Sequence, residues 1–303
     1  MNLVSLLLVS AALAAEPLAP GDHTRTLQHD GRTRSYIVHV PPKYDPKQPT
    51  PVVLIFHGAA TDASITIRFT GLNEKSDKEG FLAVYPNGTG RLERMLTWNG
   101  GNCCGSAQWN RVDDVGFTGA LLDDLAKTAN VDSKRVFATG ISNGGIMCYR
   151  LASELSDRIA AIAPVAGTMG MATCKPKRPV SVMHFHGTDD EFLPFKGGRT
   201  ARSLGLVEFY PVERSIHAWV KADGCPETPV VTEEPKKFDD GTSVQRKTYG
   251  PGKDGAEVIL FVIKGGGHTW PGRDPKVQFL GKSTKNISAN DLMWEFFKRH
   301  PMK

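Results

Sequence analysis

The sequence predicts an α/β fold with a mainly parallel central sheet and helices on both faces. Two observations carry this expectation. Short, almost wholly apolar runs bounded by Gly or Pro, at 51–57 (PVVLIFH) and 81–85, have the character of strands buried on both faces. They alternate with stretches whose apolar residues recur at three-to-four spacing, as Val115, Leu121, Leu122 and Leu125 do within 113–129. Such alternation favours parallel pairing, because each helical crossover returns the chain to the same end of the sheet.

In chain order, residues 36–40 alternate apolar and polar and read as an outer strand. After 51–57 and 81–85 come a helix at 113–129, a strand at 135–139, a helix at 143–154 and strands at 159–165 and 180–186. A helix at 210–221, a strand at 256–263 and a closing helix at 289–299 complete the pattern. Residues 89–112, rich in Gly, Asn and Trp and without periodicity, interrupt it as a loop insertion, and loops of that length are usually functional. Asp113-Asp114 at its end has the pattern of a helix N-cap.

At the N-terminus, the apolar run 3–13 and the small-x-small pattern Ala12-Leu13-Ala14 read as a signal peptide over 1–15, although Met1-Asn2 supplies no basic residue. Export to the periplasm or the extracellular medium is therefore expected, with 16–303 forming a single domain of ordinary composition, 23% charged and 40% hydrophobic. The net charge of +5 is spread without a Lys/Arg run, and no later apolar segment is long enough to span a bilayer. Neither nucleic acid nor a membrane is expected as a partner.

The strongest local signal is Gly140-Ile141-Ser142-Asn143-Gly144, placed directly after an expected strand and before an expected helix. A serine on such a turn is lifted above the sheet at the positive end of the helix. A hydroxyl is a weak nucleophile at neutral pH and needs a base held by an acid. In this context the order is Ser, then acid, then His, each after a strand. Asp189, Asp190 and Glu191 follow the strand at 180–186, and His268 follows the strand at 256–263 in the glycine-rich GGGHTWPG. Spacing alone leaves the choice among the three acids open. An oxyanion also needs N–H donors. Asn143 is the expected first donor, and Ala59, in the HGAA that follows the strand at 51–57, the second. Trp98, Trp109 and Trp270 are candidates for stacking on an aromatic acyl group or a sugar; the alternative for Trp98 and Trp109 is packing of the insertion against the body.

Together, FHGAA, WNGGNCCG…VDDVGF, GISNGG, HGTDD and GGGHTWPG resemble the secreted esterases grouped as polyhydroxybutyrate depolymerase-like proteins and family 1 feruloyl esterases. The resemblance covers most of the chain beyond residue 15. It implies an α/β-hydrolase fold, selects Asp190, four residues after His186, as the triad acid, and implies a serine esterase that needs no cofactor or metal. It further implies hydrolysis of polysaccharide-linked hydroxycinnamate esters, with polyhydroxybutyrate depolymerase or acetyl xylan esterase activity as alternatives.

A competing reading uses zinc. His184 and His186 lie two apart on one strand and share a face, as zinc ligands on a sheet do, with His57 or His268 as a third ligand. Among the five cysteines, Cys103 and Cys104 are adjacent and are not expected to bond to each other. One of Cys103 and Cys104 is expected to pair elsewhere, one cysteine to stay free, and Cys174–Cys225 is the expected disulfide.

Overall fold

The computed structural model describes residues 18–203, 207–275 and 277–303, and the expected signal peptide at 1–15 lies outside the described residues. The sheet forms on the apolar runs and extends beyond them at both edges. Its strands are β1 (Gly21–His29), β2 (Arg32–Val40), β3 (Thr50–Phe56), β4 (Leu82–Pro86), β5 (Val131–Ile141), β6 (Ala161–Val165), β7 (Ser181–Gly187), β8 (Val230–Glu233), β9 (Ser243–Tyr249) and β10 (Val258–Lys264). They lie in the order β1-β2-β4-β3-β5-β6-β7-β10-β9-β8. From β4 to β10 every neighbour is parallel, whereas the pairs at the two edges are antiparallel.

The helices are α1 (Ala63–Thr70), α2 (Leu72–Glu79), α3 (Gly105–Trp109), α4 (Asp114–Leu125), α5 (Asn143–Glu154), α6 (Val212–Asp223) and α7 (Ala289–Arg299). Side-chain alternation along each strand divides the interior into two layers. Val52, Leu54 and Phe56 of β3 face the core beneath α4, α5 and α6, while Val53 and Ile55 face the core beneath α1, α2 and α7. Burial of β3, β4, β6 and β7 on both faces explains why their sequences are continuous apolar runs. The expected boundaries hold within about three residues for every element but β2 and β5, which each start four residues earlier, and α4, which ends four residues sooner.

Six elements were absent from the sequence reading. The outer strands β1, β8 and β9 bury little, and all four residues of β8 are exposed. Helix α1, ASITIRFT, carries β-branched residues that favour extended structure. It is helical because Asp62 caps it through the Ile65 N–H, and Gly71, at φ 63°, closes it. Helix α2 is polar apart from Leu72, and α3 lies inside the insertion.

That insertion is not loose. Thr89 and Thr97 pair across it, and Leu96 pairs with Thr61. The Asp114 carboxylate accepts from Arg34 at 2.7 Å and from the Asn99 N–H at 2.8 Å, and Arg150 donates to the Asn99 carbonyl. Asp113 caps α4 through the Gly116 N–H, as expected. Asp114 is a buried anchor rather than a second cap. Burial works against both partners, raising the Asp114 carboxyl and lowering the Arg34 guanidinium, each against the pull of the other.

The cysteines differ from the expectation on both counts. Cys103 and Cys104 form a disulfide with each other. Cys174 and Cys225 are free, as is Cys148. The Cys225 sulfur faces the Ala256 carbonyl, and burial pushes the Cys174 and Cys225 thiols up to about 12 and about 11. No helix among the described residues is long and apolar enough to cross a membrane.

Candidate active site

Strand β5 ends and α5 begins at Ser142, whose backbone sits at φ 60°, ψ −124°. An L-residue holds such a conformation only when its surroundings enforce it. Here the Ser142 N–H donates to the Val165 carbonyl, and its own carbonyl accepts the Ile146 N–H. The turn fits because its glycines lack side chains. A Cβ on Gly140 would come within 2.6 Å of the Phe56 carbonyl, and one on Gly144 would collide with the same oxygen. The backbone at the C-terminal end of β3 therefore requires glycine at both positions, and the G-x-S-x-G spacing records that requirement.

Strands β7 and β10 are parallel neighbours, so the loops that leave their C-terminal ends lie side by side. They bring His268 to Asp190, with 2.8 Å from Nδ1 to Oδ2, and both side chains are buried. The other carboxylate oxygen, Oδ1, accepts the N–H groups of Phe192 and Leu193 at 2.8 and 2.9 Å. Burial alone would raise the Asp190 carboxyl. The facing His268 and His186 and the Leu193 N–H outweigh it and hold Asp190 below the ordinary carboxylate range. Asp189 is exposed and is engaged by Thr188 Oγ1. Glu191 is exposed and pairs with Arg202 at 2.8 Å. Of the three acids in this loop, Asp190 alone meets the imidazole.

Among the described residues, neither Ser142 Oγ nor His268 Nε2 is engaged in a hydrogen bond. In ligand-free sites such contacts are often long and tighten on substrate binding. The loop after β3 lies over the serine, since a Cβ on Gly58 would sit 3.6 Å from the Ser142 Cβ. The insertion holds this loop in place: Ala60 N–H donates to Leu96 O at 2.9 Å, and Leu96 N–H donates back to Thr61 O at 3.2 Å. The N–H groups of Ala59 and Asn143 have no acceptor among the described residues. The Asn143 side chain clasps the insertion, with Oδ1 accepting Trp98 N–H at 2.7 Å and Nδ2 donating to Trp98 O at 3.0 Å.

The tryptophans separate. Trp98 is fully buried, edge-on to Phe56, tilted against His57, and donates Nε1 to the His57 carbonyl. Trp270 is 1% exposed in the core beside α7 and donates Nε1 to Asn290 at 2.8 Å. Neither presents a face to a ligand, which corrects the expectation for both: a tryptophan in a loop sequence looks available, but here each indole N–H is satisfied inside the protein. Trp109, at the end of α3, is 73% exposed. Sequence reasoning missed Phe192, whose ring lies 5.0 Å from that of His268 and also lines a cavity of about 270 Å³ with Arg202, Phe279 and Lys282.

The zinc alternative does not fit the donor set. His57 donates Nδ1–H to the Gly58 carbonyl and accepts the Gly88 N–H at Nε2. His184 and His186 share a face as expected, but each ring nitrogen is taken up in a hydrogen-bonded chain: Tyr149 OH to His184 Nδ1 at 2.8 Å, His184 Nε2 to His186 Nδ1 at 3.0 Å, and His186 Nε2 to Leu193 O at 2.8 Å. Among the described residues no group of three or more His, Cys, Asp or Glu side chains is arranged to hold a metal.

Serine ester hydrolases of the α/β-hydrolase fold place their nucleophile on a turn of this kind, and the chain is a serine ester hydrolase of that fold. It belongs to the dienelactone hydrolase family, whose model matches residues 40–204, more than half of its length. Feruloyl esterase D of Neurospora crassa is 27% identical over 309 residues, covering 97% of this chain and 95% of that protein. Feruloyl esterase B of Piromyces equi is 30% identical over 241 residues, and the chain spans only 42% of its length. NocK of Nocardia uniformis subsp. tsuyamanensis, provisionally named an esterase, is 32% identical over 88% of this chain and 79% of its own. In fold, the acetyl xylan esterase from Aspergillus awamori matches with a TM-score of 0.59 at 14% identity, covering 82% of this chain and 94% of that one.

Proposed function

We propose that Ser142, His268 and Asp190 form the catalytic triad of an exported carboxylic-ester hydrolase acting on polysaccharide-linked hydroxycinnamate esters. The observation that carries the triad is the 2.8 Å bond between His268 Nδ1 and Asp190 Oδ2, on loops that leave the same end of the sheet as the strained Ser142. His268 Nε2 takes the Ser142 proton as Oγ attacks the ester carbonyl. The oxyanion rests on the N–H groups of Ala59 and Asn143, at the first turn of α5. The imidazolium returns its proton to the departing alcohol, and water repeats the sequence on the acyl-enzyme. Asp190, an acceptor only, keeps the second imidazole proton on Nδ1.

The relatives named feruloyl esterases support the acyl group, and the exposed indole of Trp109 on the insertion offers it a flat apolar face. Acetyl xylan is the second reading, favoured by the bifunctional acetylxylan esterase/xylanase of Neocallimastix patriciarum, 28% identical over 80% of this chain. The test is a panel of methyl ferulate, acetylated xylan, p-nitrophenyl esters and polyhydroxybutyrate, with and without Ser142→Ala. Loss of roughly 10³-fold or more in Ser142→Ala is expected on every cleaved substrate. Ferulate release should lead the panel. Polyhydroxybutyrate clearing with negligible ferulate release would overturn the substrate. N-terminal sequencing of the secreted protein tests export.

A further inference from the structure

Behind the Asp190–His268 pair, on the face of β7 turned toward α5 and α6, lies a buried polar chain that the reaction does not consume. It runs from Tyr149 on α5 through His184 and His186 on β7 to the carbonyl of Leu193. All three side chains are inaccessible to solvent or nearly so. We propose that His186 is a positioning residue for the Asp190–His268 pair, and that Tyr149 and His184 fix which nitrogen of its ring carries the proton. This rests on the triad reading above.

The chain has one direction. A carbonyl oxygen only accepts, so His186 Nε2 must carry a hydrogen where it meets Leu193 O. A neutral His186 then accepts at Nδ1, which requires the hydrogen of His184 on Nε2 and leaves His184 Nδ1 to accept from the Tyr149 hydroxyl. Every polar atom of the chain is satisfied by this single arrangement. Burial supports it, pushing both imidazoles down and the Tyr149 phenol up, toward their neutral forms.

The far end of the chain reaches the candidate acid twice. Leu193, whose carbonyl takes the His186 hydrogen, returns its own N–H to Asp190 Oδ1 at 2.9 Å. The same His186 Nε2 stands 3.5 Å from Asp190 Oδ2, the oxygen that accepts from His268. His186 thus holds the 190–193 turn from below and turns a positive N–H edge toward the carboxylate. The groups that face the chain are Cys148 and Cys174 beside Tyr149, and Asp190 and His268 beside His186. A carboxylate aligned in this way stabilises the imidazolium formed during acyl transfer, and loss of alignment should weaken that stabilisation.

The test compares His186→Leu, His186→Gln and Tyr149→Phe with Ser142→Ala and wild type, using hydrolysis of p-nitrophenyl acetate across pH 4–9 with circular dichroism as the check on folding. His186→Leu should lose about 10²-fold in kcat, the scale of a small misplacement of catalytic groups, with KM nearly unchanged. The acidic limb of its kcat/KM profile should move to lower pH. His186→Gln still offers an N–H toward Leu193 O and should recover most of kcat and the wild-type limb; Tyr149→Phe should fall between. Wild-type kcat and limb in a folded His186→Leu would overturn the proposal, as would a folded His186→Gln as impaired as His186→Leu. If His186→Leu does not fold, the Gln and Phe variants decide: a wild-type limb in Gln with a displaced limb in Phe supports the chain, and an unmoved limb in Phe overturns it. Activity retained in Ser142→Ala would remove the triad and this proposal together, whereas activity lost there and untouched in the His186 variants removes this proposal alone.

Discussion

Asp190 and Asp189 are adjacent carboxylates with opposite surroundings. Asp190 is buried and accepts from an imidazole and two backbone N–H groups, while Asp189 faces solvent. Asp190→Asn should lower kcat by about 10⁴, because an amide presents a donor where His268 also donates and forces the wrong tautomer. Asp189→Asn should stay within a few-fold of wild type. Steady-state kinetics on one substrate checks both, and a greater loss in Asp189→Asn would refute the assignment. Spacing could not choose between these neighbours: the loop of residues 187–193 folds back on itself, and only the bonds from Phe192 and Leu193 turn one carboxylate inward. The turn that carries Ser142 was legible because Gly140 and Gly144 are required by backbone crowding, which leaves its mark on the sequence.

At the scale of elements, the insertion behaves as a part of the body. The amide of Asn143 pairs with both backbone groups of Trp98, and Asp114 with Arg34 closes the other end. Asn143→Ala leaves the buried Trp98 N–H unpaired, while the Trp98 carbonyl keeps the N–H groups of Gly100 and Cys104, and should cost about 1–3 kcal/mol, read from the urea midpoint. It should also raise proteolytic cleavage in the insertion. A midpoint equal to that of wild type would show that the clasp is dispensable. The elements that sequence revealed are those buried on both faces or strongly amphipathic, as β3, β4 and α7 are. The edge strands were hidden because their side chains meet water, so no apolar period marks them. Helix α1 was hidden because its composition favours strand, although Asp62 and Gly71 were there to be read as its caps. Trp98 and Trp270 were misplaced because the acceptors of their indole N–H groups, the His57 carbonyl and Asn290, lie 41 and 20 residues away in the chain.

Across the whole molecule, the two cores are apolar with few charges, and one of these bears on stability against pH. Asp223, at the end of α6, accepts the Val180 N–H through Oδ1 and leaves Oδ2 buried without a partner. Burial pushes its carboxyl up to about 7, against Arg178 and Lys253. The folded state therefore binds a proton between about pH 4 and 7 that the unfolded chain has released, so this group costs stability as pH rises through that window. Asp223→Asn should match wild type near pH 4 and exceed it at pH 8 by several degrees in Tm. Thermal melts at the two pH values check this, and a constant offset would exclude it. The tryptophans give the molecule an optical property as well. Four of the five, Trp98, Trp219, Trp270 and Trp294, are buried, while Trp109 stands in solvent on the insertion. Acrylamide should quench only the red edge of the emission spectrum, and Trp109→Phe should abolish that quenchable fraction. An acyl group that settles on the insertion would then announce itself as a blue shift and a loss of quenching, in a protein that carries its own solvent-facing fluorophore on that insertion.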